Sequence, residues 1–209
     1  MKNAYRIGYM RYRTDEEFEK LKDFVVRHSE VIDELALFCE FSHHGYFPPE
    51  WWVELGQVLT GRISALKALG IPSVGLNVLC TIGHLNEAWD VLPKPPLGTM
   101  IGADGQSTPS CLCPNAPGFA EYITGKYKAL AVSNPDFIWL DDDIRMDHHG
   151  VAYPCYCPHC LKKFNEASEG VYTRETLTAA LNSPEGNGVR KAWTAFLDDT
   201  LTALCAMIG

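Results

Sequence analysis

No stretch of this 209-residue chain approaches the ~18 consecutive apolar residues of a membrane-crossing helix. Basic residues are too few for a nucleic-acid surface. The chain has 18 Lys and Arg against 26 Asp and Glu, a net charge of −8, and no basic stripe to neutralise phosphates. The opening residues Met1-Lys2-Asn3-Ala4-Tyr5-Arg6 lack the apolar core of a signal peptide. No Gly-x-Gly-x-x-Gly follows the first strand-like segment, where Gly8 stands alone, so a dinucleotide fold loses its main support. Internal repeats and low-complexity tracts are also missing. What remains is an acidic chain, 46% hydrophobic and 11% aromatic, with ample material for a packed core.

Cysteine is plentiful, with eight in the chain. A chain of this size and aromatic content does not need a disulfide framework. Cys39 and Cys80 fall in apolar strand-like runs and Cys205 on the apolar side of the last helical pattern, so all three are expected in the core as small hydrophobes. The other five gather at 111–113 and 155–160, which points to metal and to a reducing, cytoplasmic setting.

Apolar spacing alternates between strand and helix periods. Strands are expected at residues 6–12, 35–39, 72–79 and 137–140. Helices are expected after Thr14, where Glu17 completes a capping box, after Pro48-Pro49 up to Gly70, and at 118–132, 158–167, 174–181 and 189–208. Residues 81–117, rich in proline and glycine, read as one long irregular loop. Four β–α units with near-continuous apolar strands predict a parallel sheet. With the dinucleotide fold set aside, the expected architecture is a TIM (β/α)8 barrel. Such a barrel needs ~250 residues, so the chain is expected to carry its first four units as part of a single barrel domain, with the second half elsewhere.

Two constellations carry chemistry. Cys155, Cys157 and Cys160, spaced C-x-C-x-x-C on a turn stiffened by Pro154 and Pro158, give three ligands to a tetrahedral zinc site, and Cys113, Cys111 or His159 is left to supply the fourth. Four ligands with no open position make such a site structural. The second constellation is Asp141-Asp142-Asp143, at the end of the Phe137-Ile138-Trp139-Leu140 strand, where barrel enzymes place catalytic groups. Along an extended chain Asp141 and Asp143 share one face and Asp142 takes the other. Adjacent like charges raise one another's pKa, which suits a general acid. Glu40, His43, Arg11, Asn77 and Trp139 sit at comparable strand ends and are candidates to line a pocket.

Three segments together resemble the β-galactosidases of glycoside hydrolase family 42. They are Cys113-Pro114-Asn115-Ala116-Pro117-Gly118-Phe119, Trp139-Leu140-Asp141-Asp142-Asp143, and Cys155-Tyr156-Cys157-Pro158-His159-Cys160-Leu161-Lys162-Lys163-Phe164. The resemblance implies a structural zinc held by Cys113, Cys155, Cys157 and Cys160, with Cys111 a bystander. It places Asp142 and Asp143 on the family's Asn-Glu pair and makes Asp143 the acid/base. Asp143 is one methylene shorter than the family's glutamate. The implied activity is retaining hydrolysis of a β-linked sugar, with Asp142, Asp141, Glu40, Arg11 and Asn77 around the substrate and the nucleophile outside this chain. A carbohydrate is the expected partner, and the open edges of a half barrel also favour self-association. Two rivals stand beside this reading. One is a metal-dependent hydrolase using Asp141, Asp143 and the His43-His44 or His148-His149 pairs. The other is a carbohydrate-binding barrel without catalysis.

Overall fold

A computed structural model describes residues 2–83, 91–141, 144–146, 151 and 153–209. The first strand, β1 (Ala4–Ile7), stops short of the expected length because the chain enters a 3-10 turn at Tyr9–Arg11. Helix α1 (Asp15–His28) follows, with the Thr14 hydroxyl accepting from the Glu17 amide as its N-cap. Next come β2 (Glu34–Phe38), α2 (Pro49–Ala68) and β3 (Ser73–Val78). Proline opens α2 where no amide partner is needed, and Gly70, at φ +89°, ends it by donating to the Lys67 carbonyl.

The stretch read from sequence as an irregular loop contains two strands, β4 (Thr99–Ile101) and β5 (Ser107–Leu112), paired antiparallel. Their residues, Ser107-Thr108-Pro109-Ser110 above all, carry little apolar alternation, and Pro109 argues against a strand in any sequence reading. Helix α3 (Phe119–Ala131), strand β6 (Ile138–Leu140) and helices α4 (Pro158–Ser168), α5 (Arg174–Asn182) and α6 (Asn187–Ile208) complete the order.

The main sheet runs β1-β2-β3-β6, every pair parallel, so spatial order follows chain order. Right-handed crossovers between strands in that order put the intervening helices on one face. Leu35, Leu37, Val74, Leu76 and Val78 are fully buried there. A Cβ on Gly56 would lie 2.3 Å from the Ala129 carbonyl oxygen, so α2 and α3 meet backbone to backbone. On the opposite face the register lines up Arg6, Ala36 and Gly75, and one step further Phe38, Asn77 and Trp139. The Phe137 ring occupies the space above Gly75. The fold is therefore mixed α/β, built on a four-stranded parallel sheet. An eight-stranded closure is not seen among the described residues.

The chain divides into two compact units. The first holds residues 1–43, 47–81 and 125–143, including the parallel sheet. The second holds residues 44–46, 82–124 and 144–209, with the β4–β5 hairpin and α4 to α6. Its core is aromatic: Phe164 lies 5.0 Å from Trp193 and 5.7 Å from Phe196, and Tyr156 lies 5.4 Å from Trp193. Helix α6 buries Trp193, Phe196, Thr200 and Leu204. Cys205, expected in the core, is exposed because that stripe passes through its neighbour. Cys39 and Cys80 are buried as expected. Among the described residues no helix is long and apolar enough to cross a membrane.

Candidate functional site

Cys113 leaves the end of β5, where its amide donates to the Gly98 carbonyl and its own carbonyl accepts from Ala116 in a tight turn. Cys157 caps α4, its sulfur accepting from the Cys160 amide at 3.4 Å, and Pro158 follows at the first helical position. The loop bearing Cys155 lies along β4: Tyr156 donates to the Ile101 carbonyl, and the Ile101 amide points at the Cys155 sulfur at 3.4 Å. These local arrangements bring four buried sulfurs, from Cys113, Cys155, Cys157 and Cys160, within 4.8 Å of one another. The Cys113 sulfur is 3.6 Å from that of Cys157 and 3.4 Å from that of Cys160. Thiolates bound at ~2.3 Å to a tetrahedral ion sit about 3.8 Å apart, so the cluster fits one metal ion with little adjustment. Cys111 and the exposed His159 are not part of it.

Amide donors to sulfur recur around the cluster. The Cys157 amide also reaches the Cys155 sulfur, and Asn115 Nδ2 reaches the Cys160 sulfur at 3.3 Å. Asn115 is itself held: Nδ2 also donates to Thr200 Oγ1, and Oδ1 accepts from Lys163 Nζ at 2.7 Å. Packed without a cation, the four thiols split in acidity. Hydrogen bonding from Cys113 holds Cys157 and Cys155 down. Cys113 is pushed up, chiefly by Cys155, and Cys160 is pushed up, chiefly by Cys113. Four adjacent sulfurs cannot all ionise without a counter-charge, and a soft dication supplies one. Four buried cysteines that could hold a metal ion are thus in place, and every position of a tetrahedron would be filled by protein.

The second site lies on the opposite face of the parallel sheet, among Arg6, Phe38, Asn77 and Trp139. Arg6 of β1 donates through Nη2 to Asn77 Oδ1 of β3 and to Asp141 Oδ2, just past β6. Asn77 Nδ2 also donates to Asp141 Oδ2, at 2.9 Å. The guanidinium lies 4.8 Å from the Phe38 ring centroid and 5.9 Å from that of Trp139. Asn77 is fully buried, whereas the Arg6 side chain is 42% exposed and Trp139 is 37% exposed. Sequence reasoning named Asn77 and Asp141 and missed Arg6. The available signal was a charge inside a strand whose neighbours are apolar or small.

Glu40 is sealed at the end of β2. Its Oε1 accepts from Lys126 Nζ at 2.7 Å, its Oε2 accepts from the Leu79 amide at 2.8 Å, and both side chains are wholly buried. Lys126 also donates to the Cys80 carbonyl oxygen and sits 4.1 Å from the Trp52 ring centroid. The pair fastens the ends of β2 and β3 to α3. Arg11 is exposed and reaches Glu17 only at 3.8 Å. It lines a hollow of about 270 Å3 with Tyr9, Phe38, Phe41 and Leu79. Asp142, Asp143, His148 and His149 lie outside the described residues. His44 is buried, and burial lowers its pKa. Among the described residues the cysteines form the only cluster with metal-ligand spacing.

Comparison of the chain with protein-family models, with curated proteins and with solved structures finds no match.

Proposed function

We propose that this chain carries the acid half of a retaining glycoside hydrolase site on a barrel-type sheet, with a structural zinc in its cysteine cluster. The observation that supports this reading most is the meeting of Arg6, Asn77 and Asp141 beside the half-exposed Trp139 at the carboxyl ends of parallel strands, where barrel enzymes bind substrate. Asp143 serves as the acid, two residues beyond Asp141 and so expected on the same face of an extended chain. It protonates the glycosidic oxygen while a second carboxylate, ~5 Å away, attacks the anomeric carbon. Glu40 cannot be that second group, since its carboxylate is consumed by Lys126 and the Leu79 amide.

Zinc suits the four thiolates because it accepts tetrahedral sulfur ligation without redox chemistry, and it takes no part in bond breaking here. The test is an aryl and alkyl β-glycoside panel on the complete polypeptide. Asp143→Asn should slow alkyl glycosides by ~10² or more and spare activated aryl glycosides at the glycosylation step. Equal activity on both classes would remove Asp143 as the acid. Binding without any turnover would favour the carbohydrate-binding scaffold instead.

A further inference from the structure

The four sulfurs of the cysteine cluster are not held alike. The Cys155 sulfur accepts from the Ile101 and Cys157 amides, the Cys157 sulfur from the Cys160 amide, and the Cys160 sulfur from Asn115 Nδ2. Among the described residues no N–H group donates to the Cys113 sulfur. Its polar neighbours are sulfurs, with Cys157 at 3.6 Å and Cys160 at 3.4 Å. An N–H donor to a thiolate makes a charge-assisted bond, and such supporting bonds orient a ligand independently of the ion. Displacing Cys155, Cys157 or Cys160 from a metal ion therefore breaks at least one hydrogen bond as well as the metal–sulfur bond. Displacing Cys113 breaks the metal–sulfur bond alone.

The chain around Cys113 points the same way. The other three sulfurs sit in one loop that runs into α4, so each is carried by its neighbours. Cys113 arrives singly, 44 residues before Cys157, from the end of β5. Its turn does not depend on the sulfur. The Cys113 amide donates to the Gly98 carbonyl, its carbonyl accepts from the Ala116 amide, and Asn115 ties the turn to Cys160 and to Thr200 of α6. The sulfur can thus leave by side-chain rotation while the turn stays in place.

We propose that Cys113 is the exchangeable ligand of the metal centre, the corner at which a soft incoming ligand, a small monothiol, takes the place of protein. The proposal rests on the metal-binding reading of the four cysteines and concerns which of them lets go. The exchange needs no oxidant or reductant. The bond from the ion to Cys113 breaks as one to the incoming sulfur forms, and the proton of the incoming thiol ends on the released Cys113 sulfur. Cys155, Cys157 and Cys160 stay in position through their own N–H donors, and return of Cys113 closes the site again.

The experiment loads the full chain with cobalt(II), whose thiolate charge-transfer absorption reports bound sulfur, and uses β-mercaptoethanol as the incoming ligand. The wild type is compared with Cys113→Ala, Cys155→Ala and Cys160→Ala, each checked by circular dichroism. After desalting, Cys113→Ala is expected to keep about one equivalent of metal per chain, with a weakened band that β-mercaptoethanol restores saturably. The other two variants are expected to keep about a tenth of that or less, with no restoration. A second measurement uses the loaded wild type and so stands even where a variant fails to fold. Treatment with β-mercaptoethanol and then iodoacetamide should give a species that retains metal and carries its first cluster label on Cys113, located by native and peptide mass spectrometry. The exposed Cys205 lies outside the cluster and should label in every sample. First labelling at Cys155, Cys157 or Cys160, no cluster label at all, or metal loss by folded Cys113→Ala equal to that of the other variants would each overturn the proposal. Any of those results with a loaded wild type removes only the exchangeable corner. A wild type that takes up no metal removes the metal reading as well.

Discussion

The cysteine cluster and the Arg6 face are built by opposite means. Three of the four sulfurs come from a six-residue loop, are wholly buried, and are positioned by their own backbone amides and a helix cap. The Arg6 face draws on three strands separated by 71 and 135 residues and leaves its central cation partly in water. The first is closed, with each ligand position filled by protein. The second keeps donors unspent and an aromatic ring partly exposed. A site that holds structure satisfies itself, whereas one fit to meet a ligand leaves part of its bonding capacity open.

The strongest way to break the closed side of that contrast is Cys157→Ser. It removes a ligand and the cap of α4 together, so metal content should fall from about one equivalent per chain to near zero, with stability lost on the order of 5 kcal/mol. Elemental analysis and calorimetry would record both, and Cys39→Ser should keep its metal. A variant that retained a full equivalent would show that the four sulfurs do not act together.

Next in size is Lys126→Met, which strands Glu40 as a buried, unpaired acid and should cost ~3–5 kcal/mol. Adding Glu40→Leu should recover much of that loss in denaturant unfolding. No recovery would mean that Lys126 matters mainly through Trp52 and the Cys80 carbonyl.

A finer test concerns Asn115→Ala, which removes a donor to the Cys160 sulfur and the tie to Thr200. About a tenfold drop in metal affinity, read by competition with a chelator, is the expected scale for such a supporting residue. The smallest effect belongs to helix α1. Thr14→Ala removes the α1 cap and should cost ~1 kcal/mol in thermal unfolding without altering metal content.

Legibility in the sequence followed the same division. The C-x-C-x-x-C spacing is local, so the ligand loop could be read directly, and the structure brings Cys113 rather than Cys111 to it. The parallel strands and most helices were legible from apolar period alone. The β4–β5 hairpin was not, because Pro109 and a run of small polar residues hide it. Arg6 escaped because its partners are distant in the chain, and mid-strand charge usually marks a solvated edge. Lys126 falls on the apolar side of α3, among Ile123, Tyr127 and Leu130, and that spacing was the sign of its burial with Glu40.

The turn at Cys113 has a consequence for how the chain acquires its fold. Cys113 and Cys157 are 44 residues apart, and the intervening segment contains all of α3 and all of β6. A metal ion held by the four sulfurs would tie that segment into a ring, so β6 would search for β3 from a tethered loop instead of an open chain, with part of the closure entropy met before any strand pairs. Metal supply would thereby become a kinetic control on sheet completion. Refolding with a chelator present should leave β6 the last strand to gain amide protection.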